Sequence, residues 1–289
     1  MGENFFSDIL LPLTLAIITL GMGLSIESKD FAGIYRHPKA VITGILAQML
    51  ILPLIAFLIA YFTDIDPVYK VGLIIIAACP GGATSNLVNF ILNGNVALSL
   101  SITVINSLLT LFTIPFIVRA ALVYFLGESA VIHLLYGETI MNIFLVVALP
   151  ATVGITIRHF FRGFAIGLEK PLRYFLPVLL FTVYCGVLFI DKGAETLHLK
   201  DYINLYPHAI LLNVLSMLGG WFVSRQVGLK RRNLFTIAVE VGLQNSTLAI
   251  FIAATLLSSQ QMAVVPIIYG SFSFFTTWGI GYLMNRFSR

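Results

Sequence analysis

The chain has 289 residues, of which 58% are hydrophobic and only 10% charged, and its mean hydropathy is +0.97. A soluble domain carries about 25% charged residues, so this composition excludes a soluble enzyme and reads as a polytopic membrane protein. The net charge of +4 and the pI near 9.1 are what basic cytoplasmic loops produce, and they give no ground for a nucleic-acid partner.

The chain opens on MGENFFSD, with Glu3 and Asp8 where a cleavable signal needs Lys or Arg, so the first apolar run is expected to be a retained span. Nine apolar runs are read, at about 9–26, 40–62, 68–92, 95–124, 137–160, 171–190, 205–226, 233–257 and 262–285. Most approach the ~20 residues a spanning helix needs. Backbone groups in lipid must bond within their own segment, so each run is read as a helix. Pro53, Pro115, Pro150, Pro177 and Pro266 lie inside runs and are expected to kink them. Asn106, Asn142 and Asn213 are read as hydrogen-bonding glue between helices. His37, His133, His159, His198 and His208 fall in loops or at run ends, which argues against a mid-membrane proton relay. Cys79 and Cys185 lie in apolar runs, where a disulfide is not expected.

Basic residues set the direction of threading. With the N-terminus outside, Lys29, Arg36, Lys39, Arg158, Arg162, Lys170, Arg173, Arg225, Lys230, Arg231, Arg232, Arg286 and Arg289 face the cytoplasm, and only Lys70, Arg119, Lys192 and Lys200 lie outside. The opposite orientation reverses this bias and loses. Of the 13 acidic residues, nine then fall outside and three inside; the remaining one, Glu240, stands within a run. The loops are short, and no Walker-type glycine loop is present to use ATP. Uphill movement would have to draw on another gradient.

Two runs are interrupted. The third contains CPGGATSN, Cys79 to Asn86, where Pro and two Gly stop a helix and Thr, Ser and Asn start one. The eighth contains EVGLQNST, Glu240 to Thr247. The first is read as running outward to inward and the second inward to outward. Two interrupted spans of opposite direction, one in each half, mark an inverted-repeat secondary transporter. A half-helix beginning at mid-membrane offers unpaired N–H groups to an anion, and a half-helix ending there offers carbonyls to a cation. Leaving Glu240 uncompensated at a helix centre costs at least ~3 kcal/mol. A bound cation or a proton would offset that cost.

At these residues the chain resembles the bile acid:sodium symporter family. GMGLSIESKDF followed by RHPK (Gly21 to Lys39), CPGGATSN followed by NGNVALSLSIT (Asn93 to Thr103), and EVGLQNS (Glu240 to Ser246) match family motifs in order, over nearly the whole chain. The resemblance implies an all-α membrane domain over 1–289 with two discontinuous crossing helices. The first repeat would take about 1–126 and the second about 127–289. Core helices would lie at about 40–125 and 205–286, and panel helices at about 9–26 and 137–190. About nine transmembrane helices are expected, as in the animal members, against ten in bacterial ones.

The resemblance also implies two Na+ sites. One takes Ser85, Asn86, Ser99, Thr103 and Glu240; the other takes Gln48, Glu240, Gln244 and the carbonyls of Val241 and Leu243. Ser99 and Thr103 are four apart and so share a helix face. So many converging oxygens favour sodium over a proton, which needs only the carboxylate. Two ions also suit accumulation: with roughly 100 mV and a tenfold gradient, one Na+ importing a monoanion leaves about 1.4 kcal/mol and two leave about 5.1.

The organic anion is expected near Thr84, Asn245 and Ser246, with Thr276 and Thr277 where bile-acid-carrying relatives hold a His-Asn pair. Ala83 stands directly after the two glycines, where those relatives place Thr. The cation side is intact and the substrate side departs, so the cargo is a bile acid or a smaller carboxylate such as a keto acid or pantoate-like acid. The expected setting is the bacterial inner membrane, with the C-terminus cytoplasmic and no obligatory protein partner. A proton-coupled carrier of the same fold is the alternative. A channel lacks a repeated carbonyl filter here, and an intramembrane enzyme built on Ser85 or Glu240 lacks a positioned base.

Overall fold

In the computed structural model, the main elements are all helical among the described residues, which are 9–25, 37–127, 141, 144–168, 171, 172, 175, 179, 182 and 202–287. In chain order the main helices are α1 (Leu11–Ser25), α2 (Pro38–Phe62), α3 (Pro67–Ala78), α4 (Ala83–Ile91), α5 (Val96–Leu126) and α6 (Phe144–Phe160). They continue with α7 (Tyr206–Gln226), α8 (Arg231–Gly242), α9 (Ser246–Ile250, extended by a π-helical turn at Phe251–Leu256) and α10 (Gln260–Phe287). The expected run at 171–190 lies almost wholly outside the described residues, as do Asn142, Pro177, His133, His198 and Cys185.

Among the described residues, four segments are long and apolar enough to cross a membrane: Pro38–Phe62, Ile203–Gln226, Arg231–Leu256 and Gln260–Met284. The two halves of α5, Val96–Thr110 and Phe112–Leu126, meet at 61° and make a fifth span when taken together. Pro115 accounts for the bend, because its ring displaces the carbonyl of Leu111 and offers it no N–H. Shorter apolar helices occupy the first run, the start of the third and the described part of the fifth. The segment Arg231–Leu256 is the axis of the fold, with 94% of its apolar window buried inside the protein. Around it α2, α3, α5, α7 and α10 contribute to one continuous apolar core.

Proline placement also shapes two helices that run into Leu-Pro pairs. A π-helical turn, Ala47–Ile51, precedes Leu52 and Pro53 in α2. Another, Phe144–Ala148, precedes Leu149 and Pro150 in α6. Pro150 cannot donate to the carbonyl of Val146, and the hydroxyl of Thr19 on α1 does so instead at 3.2 Å.

Helices α1 and α6 meet at glycines. A Cβ on Gly154 would run into the Leu20 carbonyl and lie 2.8 Å from the Leu24 nitrogen and 2.9 Å from the Gly23 Cα. Such close backbone approach is the usual way membrane helices associate. Gly154→Ala is expected to lower the thermal midpoint of the detergent-solubilised protein by the equivalent of about 2 kcal/mol, since the obstacle is backbone. Gly167→Ala is the control, because a Cβ there meets nothing within 4 Å.

Candidate cation site at two broken helices

Helix α3 stops at Ala78 because Cys79 turns extended (φ −75°, ψ 151°), and Pro80 two residues on cannot continue it. Chain direction recovers as a helix only at Ala83. Helix α8 stops in the same way at Gly242, with Leu243 extended (φ −116°, ψ 115°). Helix α9 then starts under an Asn245 cap, whose Oδ1 accepts from the Leu248 N–H at 3.1 Å. The two breaks touch: the Asn245 backbone N–H donates to the Pro80 carbonyl at 2.9 Å. Free backbone groups at two helix breaks thus satisfy each other in the protein interior.

Glu240 lies two residues before the end of α8 and is fully buried. Three hydroxyls point at its carboxylate. Ser85 from α4 donates to Oε1 at 2.9 Å, Thr103 from α5 donates to Oε2 at 3.0 Å, and Ser99 from α5 makes a close contact with Oε1. Asn86 joins through its Oδ1, which accepts from Ser99 at 2.7 Å. The structure therefore brings together all five residues expected at the first site.

The second set also converges. Gln48, in the π-helical turn of α2, donates through Nε2 to Gln244 Oε1 at 2.5 Å and to the Cys79 carbonyl at 3.3 Å. Gln244 Nε2 donates to the Val241 carbonyl at 2.7 Å. Gln48 Oε1 is buried without a partner. The missing Cβ of Gly81 marks the place where the two sets join. That point is 2.8 Å from Glu240 Oε2, 3.3 Å from Ser85 Oγ and 3.5 Å from the Leu243 carbonyl.

Proton counting reveals what this arrangement wants. Each hydroxyl has one proton. Ser85 has two acceptors in reach, Gly82 O at 2.8 Å and Glu240. Ser99 has Asn86 Oδ1 and Glu240, and Thr103 has the Ser99 carbonyl at 3.0 Å and Glu240. Three protons face six acceptor contacts around one buried acid. Amides of Asn86 and Asn89 donate to the Gly82 carbonyl and to Ser99 Oγ, but the carboxylate itself has only the three shared hydroxyls, an oxygen-rich setting that suits a hard cation.

The residues expected to hold the anion divide into two groups. Thr84 is exposed at the start of α4, and Asn245 and Ser246 are half-buried at the second break. Gly82 lies between Thr84 and Asn245, its Cβ position being 3.8 Å from the Thr84 hydroxyl and 4.0 Å from the Asn245 Cβ. Thr276 and Thr277 instead gather on Asn213 of α7. Thr276 donates to Asn213 Oδ1 at 2.7 Å, and Asn213 Nδ2 donates to Thr277 Oγ1 at 2.9 Å. Asn213 Nδ2 also donates to the Gly242 carbonyl at 2.6 Å, as does the Tyr269 hydroxyl at 2.6 Å. This cluster satisfies a carbonyl released at the end of α8. Asn213 thus bonds between helices as its sequence position implied, whereas Asn106 is buried with neither side-chain polar atom partnered. Tyr269 and the Cys79 carbonyl gave no sequence signal, since one is an aromatic in an aromatic-rich run and the other is backbone.

The profile of the sodium bile acid symporter family matches residues 12–198. The chain belongs to that family. An uncharacterized sodium-dependent transporter of Bacillus subtilis is 29% identical over 256 residues, covering 89% of this chain and 76% of its own length. The human ileal sodium/bile acid cotransporter is 26% identical over 282 residues, covering 93% of this chain and 79% of its own. A probable chloroplastic sodium/metabolite cotransporter of Arabidopsis thaliana is 29% identical over 239 residues, and the chain spans only 57% of that protein's length. As a member of this sodium-dependent transporter family, the chain is an integral membrane protein and a transporter, not an enzyme.

Proposed function

We propose that this symporter-family protein imports a small organic anion with two sodium ions by alternating access. The excess of oxygen acceptors over protons around Glu240 carries the reading. Ser85, Asn86, Ser99, Thr103 and Glu240 hold the first ion. Gln48, Gln244, Glu240 and the carbonyls of Val241 and Leu243 hold the second, and the unpartnered Gln48 Oε1 supports that assignment. The anion docks at the starts of α4 and α9, near Thr84, Asn245 and Ser246, where partial positive charge collects. Thr276 and Thr277 line the substrate side through their grip on Asn213.

The chain is read as nine spans in two inverted repeats, about 1–126 and 127–289, with a core of α2 to α5 and α7 to α10 and a panel that includes α1 and α6. Contact between the two breaks through Asn245 and Pro80 supports that pairing of halves. Orientation follows the basic loops, with the N-terminus outside a bacterial inner membrane. The cargo is a bile acid or a smaller carboxylate, the chemistry named in the relatives' descriptions being bile acid or metabolite.

The test is a thermal-shift and uptake series over bile salts and small carboxylates, in sodium and in choline buffer. A carboxylate whose stabilisation and uptake require sodium supports the proposal. Uptake driven by a pH gradient in sodium-free buffer overturns it in favour of proton coupling. The second ion has its own readout: Gln244→Ala is expected to lower the Hill coefficient for sodium from about 2 to about 1. An unchanged coefficient removes Gln244 from the site.

A further inference from the structure

Polar residues do not stop at Glu240. On α8 the buried set Asn233, Thr236 and Glu240 repeats at helical spacing. On α4, Ser85, Asn86 and Asn89 do the same, and Asn89 is fully buried. Both rows continue past the first cation site toward the turn Asn93–Asn95, at the end where α8 begins. They are joined step by step. Asn89 Nδ2 reaches Ser99 Oγ at 3.0 Å and the Thr236 carbonyl at 3.5 Å. Thr236 Oγ1 accepts from the Asn95 backbone N–H at 2.7 Å, and Asn95 Nδ2 donates to Asn233 Oδ1 at 3.0 Å. Beside the turn lies a cavity of about 290 Å³ with Asn93, Arg231 and Arg232 in its wall, so the ladder ends next to accessible space.

One atom in this ladder has no partner. Asn89 Oδ1 is buried with no donor, a state that costs roughly 1–3 kcal/mol. It borders the gap that Gly94 leaves by lacking a Cβ. The point where that Cβ would sit is 2.5 Å from Asn89 Oδ1, 3.0 Å from Thr236 Oγ1 and 3.1 Å from the Asn89 carbonyl oxygen. Oxygens crowd this gap, and a side chain at position 94 would fill it.

We propose that Asn89 Oδ1 and Thr236 Oγ1, the side-chain oxygens that border the Gly94 gap, form a further sodium station on the path between the first site and the membrane face where α8 begins. The ion moves from the Glu240 carboxylate to the oxygens of Asn89 and Thr236, passing Ser99 Oγ, which contacts Glu240 on one side and the Asn89 amide on the other. Arg232 donates to the carbonyls of Asn93 and Gly94 at 3.2 and 3.0 Å and pins the turn over this station. The turn must lift from α8 for the ion to pass. This inference rests on the sodium reading of the Glu240 site.

Asn89→Asp and Asn89→Leu test it, by thermal shift in sodium against choline and by the rate of sodium-driven uptake of whichever carboxylate the substrate series identifies. An acid at 89 sets carboxylate oxygens against Ser99 Oγ and the Thr236 carbonyl, an opposition a cation relieves. Asn89→Asp is expected to be less stable in choline, to recover in sodium, and to show half-saturation at about tenfold lower sodium, with turnover slowed about tenfold because the ion is retained. Asn89→Leu is expected to keep the sodium-induced shift within about twofold of wild type while turnover falls about tenfold. If both variants lose stability alike and sodium does not rescue the acid, Asn89 is only a hydrogen-bond brace and the station is overturned. The same holds if the leucine variant loses the sodium shift altogether. Absence of any sodium shift in the wild-type protein is a different result, which overturns the parent reading instead.

Discussion

Glu240→Gln is expected to abolish sodium-driven uptake while leaving the fold intact. Glutamine has the same shape and retains one oxygen, but it brings an NH2 group into a cluster where three hydroxyl protons already serve six acceptor contacts. Two further protons relieve the shortage, and no formal charge is left buried. In choline buffer the variant should therefore melt at or above the wild-type midpoint. In sodium buffer it should gain nothing, whereas the wild type rises. Removing one partner of a buried ionic contact costs about 3–5 kcal/mol, so uptake should fall at least about a hundredfold. Matched melting curves in the two salts, with uptake measured on the same preparations, decide the matter. A glutamine variant that still responds to sodium would mean that the ion is held elsewhere.

That expectation was within reach of the sequence because the chemistry at this site is locally conspicuous. Pro80, Gly81 and Gly82 punctuate one apolar run, and Glu240 and Gly242 punctuate another. In a membrane such residues are costly enough to require a reason. Helical spacing put Ser99 and Thr103 on one face, the family resemblance tied them to Glu240, and both do reach it. Pro115 announced the bend in α5.

Other features depend on information that no short window holds. The bond from Asn245 to Pro80 joins residues from opposite halves of the chain. The π-helical turn that carries Gln48 changes the register of α2, and side-chain spacing alone cannot reveal an extra residue per turn. Asn89 and Thr236 look like ordinary polar residues in amphipathic helices until α4, α5 and α8 are packed together. Thr276 and Thr277 were assigned because bile-acid-carrying relatives hold a His-Asn pair there, yet their hydrogen bonds go to Asn213, a residue whose side chain is committed only by the way α7 meets α10.

The two adjacent glycines of the first break should behave differently, and the contrast tests how tightly the site is built. Gly81→Ala would put a methyl group 2.8 Å from Glu240 Oε2 and 3.3 Å from Ser85 Oγ. The carboxylate cannot retreat, because hydroxyls from α4 and α5 hold both its oxygens. Overpacking of this kind costs about 1–3 kcal/mol. Here it falls on the ligand geometry, so half-saturating sodium should rise about tenfold or more. Gly82→Ala has room, since its Cβ would meet nothing closer than 3.8 Å, and its φ of −131° is open to alanine. Its half-saturating sodium should stay near the wild-type value, although the methyl group, lying between Thr84 and Asn245, can still alter the affinity for the anion. Sodium-dependence curves for the two variants separate a demand for space beside Glu240 from a general need for flexibility in the break. Equal damage in both would favour flexibility, and a Gly81→Ala protein with wild-type sodium dependence would place the ion away from Glu240.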